Sequence, residues 1–220
     1  MLLLALDTAT DKGSLALAAD GRLLGEYSLE TAGTYLRHLL PGLEALLKAA
    51  GREPQDIGAI AVSQGPGNFT GLRIGLATAK GLALARGCPL VAVSTLEVLA
   101  AQFPFHPHPI GVIIDARRRE VFFALYRCPE ETPQLLAGPE RLTLEELPAR
   151  LTSPMLLAGP ALNAYQDFLE KALPPEIHWA PPEMRHPRAA TVARLGRACL
   201  LQGLTTPPAQ LTPTYLRPAL

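Results

Sequence analysis

The chain has little cysteine, few aromatics, no surplus of charge and no long apolar run, and each shortage removes a class of function. Cys88, Cys128 and Cys199 are odd in number and widely spaced, which fits neither a disulfide framework nor a metal site and suits a reducing cytoplasm. Aromatic residues make up 5% of the chain, so a core must come from Leu, Ala and Val. Lys plus Arg and Asp plus Glu both number 20, whereas a protein whose main partner is nucleic acid usually carries a basic excess. No run approaches the ~18 apolar residues of a membrane span. The six apolar residues that open the chain follow no basic region and end at Asp7, unlike a signal peptide. A soluble, cytoplasmic protein with no membrane partner is expected.

Proline is plentiful, and its crowding in the second half predicts short elements with stiff connections there. The stretch Gln55–Arg86 organises the rest: an apolar strand through Ile57–Val62, a loop with Gly65, Pro66, Gly67, Asn68 and Gly71, then a helix with Thr70 as its expected N-cap. Ahead of it, Leu2–Leu6 and Ser14–Ala18 read as strands, and Asp20-Gly21 turns the chain into a third, all antiparallel. Thr34–Ala50 reads as a helix with Leu36, Leu39, Leu40, Leu43, Leu46 and Leu47 on one face, kinked or restarted at Pro41. On the helix Gly71–Arg86, Gly71, Gly75, Ala79 and Ala83 recur every four residues in an almost wholly apolar setting. Two readings stand: a central core helix, or a helix that docks a partner subunit.

Leu90–Val93 reads as a strand, with a helix from Ser94 or Thr95 through Gln102. The proline-broken run Phe103–Pro109 is the expected boundary between a lobe at 1–103 and a smaller, proline-rich lobe at 104–220. The second lobe should hold a strand pair around DARRRE, a short helix from a Thr143–Glu146 capping box and a strand at Met155–Ala158. Helices are expected at Asn163–Leu173 and Ala189–Gln202, with a surface tail from Thr205.

Asp7 and Thr8 on the first turn, Gly65 and Gly67 in the loop, and Asp115 at a strand end would make a phosphate or Mg²⁺ site if they converged. The loop lacks the Gly-Lys-Ser/Thr of a Walker motif and the G-x-G-x-x-G register, so well-chosen turns explain it as well. The five histidines are isolated or lack ligand partners, and Ser63 sits in no nucleophile elbow. Arg117–Arg119 is most simply a solvated hairpin turn; the sharper reading is a phosphate contact, and no aromatics interleave it for base stacking.

LLLALDTAT, YLRHLLPGLEALL and IGAIAVSQGPGNFTGLRIGLATAKGLALA together resemble the bacterial TsaB (YeaZ) family. VAVSTLEVLA, DARRREVFFALY and the terminal PTYLRP are similar to it as well, and the match is patchier from Leu135 to Pro187. The resemblance implies an α/β fold of the actin/sugar-kinase/Hsp70-like (ASKHA) type, two related lobes each with a mixed sheet flanked by helices. It implies a role in making N6-threonylcarbamoyladenosine at position 37 of tRNAs that read codons beginning with A. The chain would be the non-catalytic partner of its paralogue TsaD, the transferase that carries the metal and the nucleotide-like substrate. TsaE, an ATPase, would join the pair; a homodimer would form when TsaD is absent; tRNA would be met only through the complex.

Where TsaD-like proteins place two metal-binding histidines four apart, Thr95 and Leu99 stand here, and leucine cannot ligate a metal. No catalytic residue, metal or cofactor is therefore expected, and the loops at Asp7, Thr8, Gly65, Gly67 and Asp115 would be at most a vestige of ATP or ADP binding. The implied partner surface comprises Leu36, Leu40, Leu43 and Leu47 on the first helix and Gly71, Gly75, Ala79, Leu82 and Ala83 on the second. The alternative is a free-standing enzyme of the fold, a glycoprotease-like peptidase or a nucleotide hydrolase.

Overall fold

The computed structural model describes residues 1–30 and 35–216. The chain runs β1 (Leu2–Asp7), β2 (Lys12–Ala19), β3 (Arg22–Glu30), α1 (Tyr35–Ala49), β4 (Ile57–Ser63), α2 (Phe69–Arg86), β5 (Leu90–Val93) and α3 (Thr95–Ala100). It continues through β6 (Ile110–Arg117), β7 (Glu120–Arg127), β8 (Gln134–Thr143), β9 (Met155–Ala158), α4 (Ala161–Ala164), α5 (Gln166–Ala172), β10 (Ile177–Trp179) and α6 (Ala189–Leu201).

The first sheet is ordered β3-β2-β1-β4-β5 and the second β8-β7-β6-β9-β10. In each, three antiparallel strands are followed by two parallel ones on the far side of the first. The same order twice is the two-lobed α/β plan expected of the ASKHA type. Parallel neighbours cannot be joined by a hairpin, so α2 is the crossover from β4 to β5, and α1 carries the chain from β3 at one edge to β4 on the far side of β1.

Two compact units result: Met1–Val98 with Pro187–Thr214, and Leu99–His186 with Tyr215 and Leu216. A contiguous division at 103 differs from this because α6 returns to pack on β1, β2, β4 and β5. In the first unit Leu2, Leu4 and Leu6 of β1 join Leu39, Leu43, Leu46 and Leu47 of α1 and Leu76, Ala79 and Ala83 of α2 in one apolar cluster. Strand alternation turns Ala61 of β4 to the opposite face, where a methyl group on Gly196 of α6 would lie 2.4 Å from its Cβ. Each sheet face is thereby covered, which is why β1 reads as an unbroken apolar run.

Several local expectations change. Asn68, not Thr70, caps α2, its side chain accepting from the Gly71 N–H at 2.9 Å. α1 runs unbroken past Pro41, and its expected first residue, Thr34, lies outside the described residues. The Thr143–Glu146 capping box forms, but it leads only into a 3-10 turn at Leu147–Arg150, because Pro148 cannot carry a longer helix. The helix expected at Asn163–Leu173 is split at Tyr165, whose backbone leaves the helical region and whose hydroxyl reaches Asp115. β8 and β10 are strands that the sequence does not announce. The tail is not a loose surface drape: Leu211 is buried in the first core.

Candidate functional site

Asp7 ends β1, and the pleat sends Asp7 and Thr8 to opposite faces of the first sheet. Thr8 turns toward α2, where its hydroxyl donates to the Gly71 carbonyl at 2.8 Å. A methyl group on Gly75 would sit 2.1 Å from the Thr8 hydroxyl oxygen, so only glycine allows this helix so close to the strand turn. Gly71, Gly75, Ala79 and Ala83 are all buried in this one contact face. The small-residue ridge therefore meets the chain's own sheet and is not available to a partner. Leu43 and Leu47 lie in the same core, and Leu82 packs half-buried against it. Of the expected partner residues Leu40 faces solvent, 57% exposed; the side chain of Leu36 lies outside the described residues.

The opposite side of α2 carries what the sequence reading missed. Phe69, Arg73, Ala77, Gly81 and Leu84 form one exposed stripe, with Phe69 50% and Leu84 70% exposed. The Arg73 guanidinium lies 3.8 Å from the Phe69 ring centre, which keeps the ring's apolar edge along the stripe. The same i, i+4 spacing that groups the glycine ridge also groups Phe69, Arg73, Ala77 and Gly81, and spacing does not say which of the two faces is outward.

The loop between β4 and α2 is brought against the turn after β1, as expected for Thr8, Gly65 and Gly67, but without a gap between them. The Asn68 N–H donates to the Ala9 carbonyl at 2.7 Å, and a methyl group on Gly67 would lie 2.2 Å from that same oxygen. The Gly65 N–H donates to the Thr95 hydroxyl at 3.1 Å, and the Gly71 N–H to Asn68. A phosphate cradle needs N–H groups free to converge on an anion. These three are committed inside the chain.

On the other face, Asp7 pairs in register with Ser14 of β2, and the side chain of Ser63, the last residue of β4, lies beside it. The Ser14 hydroxyl accepts the Ala189 N–H at the start of α6 (2.9 Å), and the Ala9 N–H donates to one Asp7 carboxyl oxygen at 3.2 Å. The other Asp7 oxygen and the Ser63 hydroxyl are buried without a hydrogen-bond partner. Burial pushes the Asp7 carboxyl up to about 6, opposed by the facing Ser63 hydroxyl and the Ala9 N–H. A carboxyl so enclosed does not fit a Mg²⁺–phosphate site, which needs oxygen ligands open to the ion.

Asp115 lies in the second unit and is equally engaged. It accepts the Tyr165 hydroxyl at 2.6 Å and the Arg117 N–H at 2.7 Å, and pairs with the Arg117 guanidinium at 3.2 Å. Burial first, then Asp115 as acceptor and anion, pushes the Tyr165 phenol up to about 12. Arg119 pairs with Glu145 at 2.6 Å, so two members of the arginine run answer carboxylates of their own unit. Among the described residues no three His, Cys, Asp or Glu groups cluster as a metal site, and no helix is long and apolar enough to cross a membrane. Thr95 spends its hydroxyl on Gly65, and Leu99 is buried.

Comparison with known proteins places these features in a family. The family model of TsaD, tRNA N6-adenosine threonylcarbamoyltransferase, matches residues 29–219. The tRNA threonylcarbamoyladenosine biosynthesis protein TsaB of Bacillus subtilis is 30% identical, over 99% of this chain and 94% of its own. TsaB of Escherichia coli is 30% identical over 99% and 95%. The solved structure of YeaZ from Pseudomonas aeruginosa superposes with a TM-score of 0.83 at 29% identity, covering 98% of this chain and 99% of that one.

Proposed function

The chain belongs to the TsaB family of tRNA threonylcarbamoyladenosine biosynthesis proteins, and on that premise we propose that it is the non-catalytic partner of a TsaD transferase. It serves the formation of N6-threonylcarbamoyladenosine at position 37 of tRNAs that read codons beginning with A. The observation that carries this reading is the closed loop: the N–H groups of Gly65, Asn68 and Gly71 all donate within the chain. Asp7 buried and Asp115 fully paired support it, since neither is free to hold a metal–phosphate group. A peptidase reading is opposed by Ser63, whose hydroxyl is fully buried beside the enclosed Asp7 carboxyl, out of reach of a substrate.

The docking surface is the outer stripe of α2, Phe69, Ala77 and Leu84, together with Leu40 of α1. Burying each such large apolar side chain contributes roughly 1.5–3 kcal/mol before the cost of association. TsaD occupies this face in the working complex and a second copy occupies it when TsaD is absent; TsaE joins the pair, and tRNA is met only through the assembly. Titration calorimetry of the isolated chain with Mg·ATP and Mg·ADP, beside sedimentation of its mixture with the cognate TsaD, tests the proposal. No nucleotide binding and a stable heterocomplex are expected; nucleotide binding at micromolar affinity by the isolated chain, or no complex, contradicts it.

A further inference from the structure

β5 is the edge of the first sheet. Pro89 and Val93 spend their carbonyls on Ile60 of β4 and on Gln64 just after it, which leaves the Leu90 carbonyl and the Ala92 N–H pointing outward. Both are taken by one residue of the tail: the Thr206 N–H donates to the Leu90 carbonyl at 2.7 Å, and the Thr206 hydroxyl accepts from the Ala92 N–H at 3.3 Å. Further on, the 3-10 turn Pro208–Gln210 lies against α2 and Leu211 enters the core. The Thr214 N–H then donates to the Gln64 carbonyl at 2.8 Å, and the Thr214 carbonyl would lie 2.9 Å from a methyl group on Gly65. One segment is thus fastened at a sheet edge, in the core and on the glycine loop.

We infer that Thr205–Thr214 is a strap that locks the glycine loop and the start of α2 while shielding the β5 edge, the two ends holding or releasing together. An uncovered edge strand presents unpaired backbone groups to any passing strand, and a loop with no regular pairing of its own opens first unless something outside holds it. The prolines at 207, 208 and 213 stiffen the strap, so a pull at one end is transmitted to the other. The inference is independent of what docks on α2.

Amide hydrogen exchange on the full chain tests it by cutting the strap at each end and reading the opposite one. Thr206→Pro removes both edge hydrogen bonds; the Gly65, Asn68 and Gly71 amides should then exchange about 30-fold faster, as expected for two lost hydrogen bonds. Thr214→Pro removes the loop hydrogen bond; the Ala92 amide should exchange about fivefold faster, with β1 amides unchanged in both variants. If each substitution alters only the amides at its own end, or neither alters any, the strap does not exist as a unit. If Thr206→Pro fails to fold, Thr214→Pro read at Ala92 decides the matter alone.

Discussion

Thr8 and Gly75 meet so closely that the pair can be tested by volume. Gly75→Ala should lower unfolding free energy by about 1–3 kcal/mol, the usual cost of overpacking, and Thr8→Ala in the same chain should recover most of it. Gly81, on the outer side of the same helix, has open space around it, so Gly81→Ala should stabilise by up to about 1 kcal/mol through helix propensity. Urea denaturation of the variants checks both; a Gly75→Ala chain as stable as the parent contradicts the packing described. Asp7 gives a second test, through pH. Its native value of about 6 lies above the 3.8 of an ordinary aspartate, so the folded chain holds this proton more tightly than the unfolded one. Its contribution to stability is fully present below pH 4 and declines by about 3 kcal/mol as pH rises to about 6, then stays flat. Asp7→Asn removes that decline, so the parent-minus-variant difference in unfolding free energy should slope between pH 4 and 6. A flat difference would mean that the carboxyl is not desolvated.

At the scale of the element, α2 shows what periodicity can and cannot say. The strand–loop–helix order was legible in the apolar run Ile57–Val62 and the glycines after it. Which side of the helix faces the sheet was not, because i, i+4 spacing groups residues without saying what lies opposite them. Thr8, more than sixty residues earlier, decides it. The same limit explains the cap: Asn68 and Thr70 are both good N-cap residues, and Asn68 wins because its N–H also bonds to Ala9. β8 was hidden by Gly138 and Pro139 and by its exposure, and the break at Tyr165 by a partner fifty residues away. Of the candidate site, the meeting of Thr8 with the glycine loop was legible, whereas the filling of that loop by the Ala9 carbonyl was not. The orientation of α2 yields a prediction. Leu84→Glu should weaken association with TsaD about tenfold or more while leaving the melting temperature within a few degrees, since Leu84 is 70% exposed. Ala79→Arg should instead unfold the chain, because Ala79 is buried on the sheet-facing side of α2. Sedimentation velocity and thermal melts separate the two outcomes; an unaffected complex with Leu84→Glu would place the interface elsewhere.

For the whole molecule, two sheets of one strand order repeat a single plan in both units, while the loops of the first close on themselves. Ala9 fills the first loop, the carboxylates are enclosed or paired, and Thr95 and Leu99 are buried. What remains outward is a helix face. Reconstitution of tRNA modification from purified TsaD, TsaE, ATP, threonylcarbamoyl donor and substrate tRNA, with and without this chain, tests that account most directly. Modification should depend on the chain, tolerate Asp7→Asn and fall with Leu84→Glu; full modification in its absence, or threonylcarbamoyl transfer by the chain alone, would contradict it.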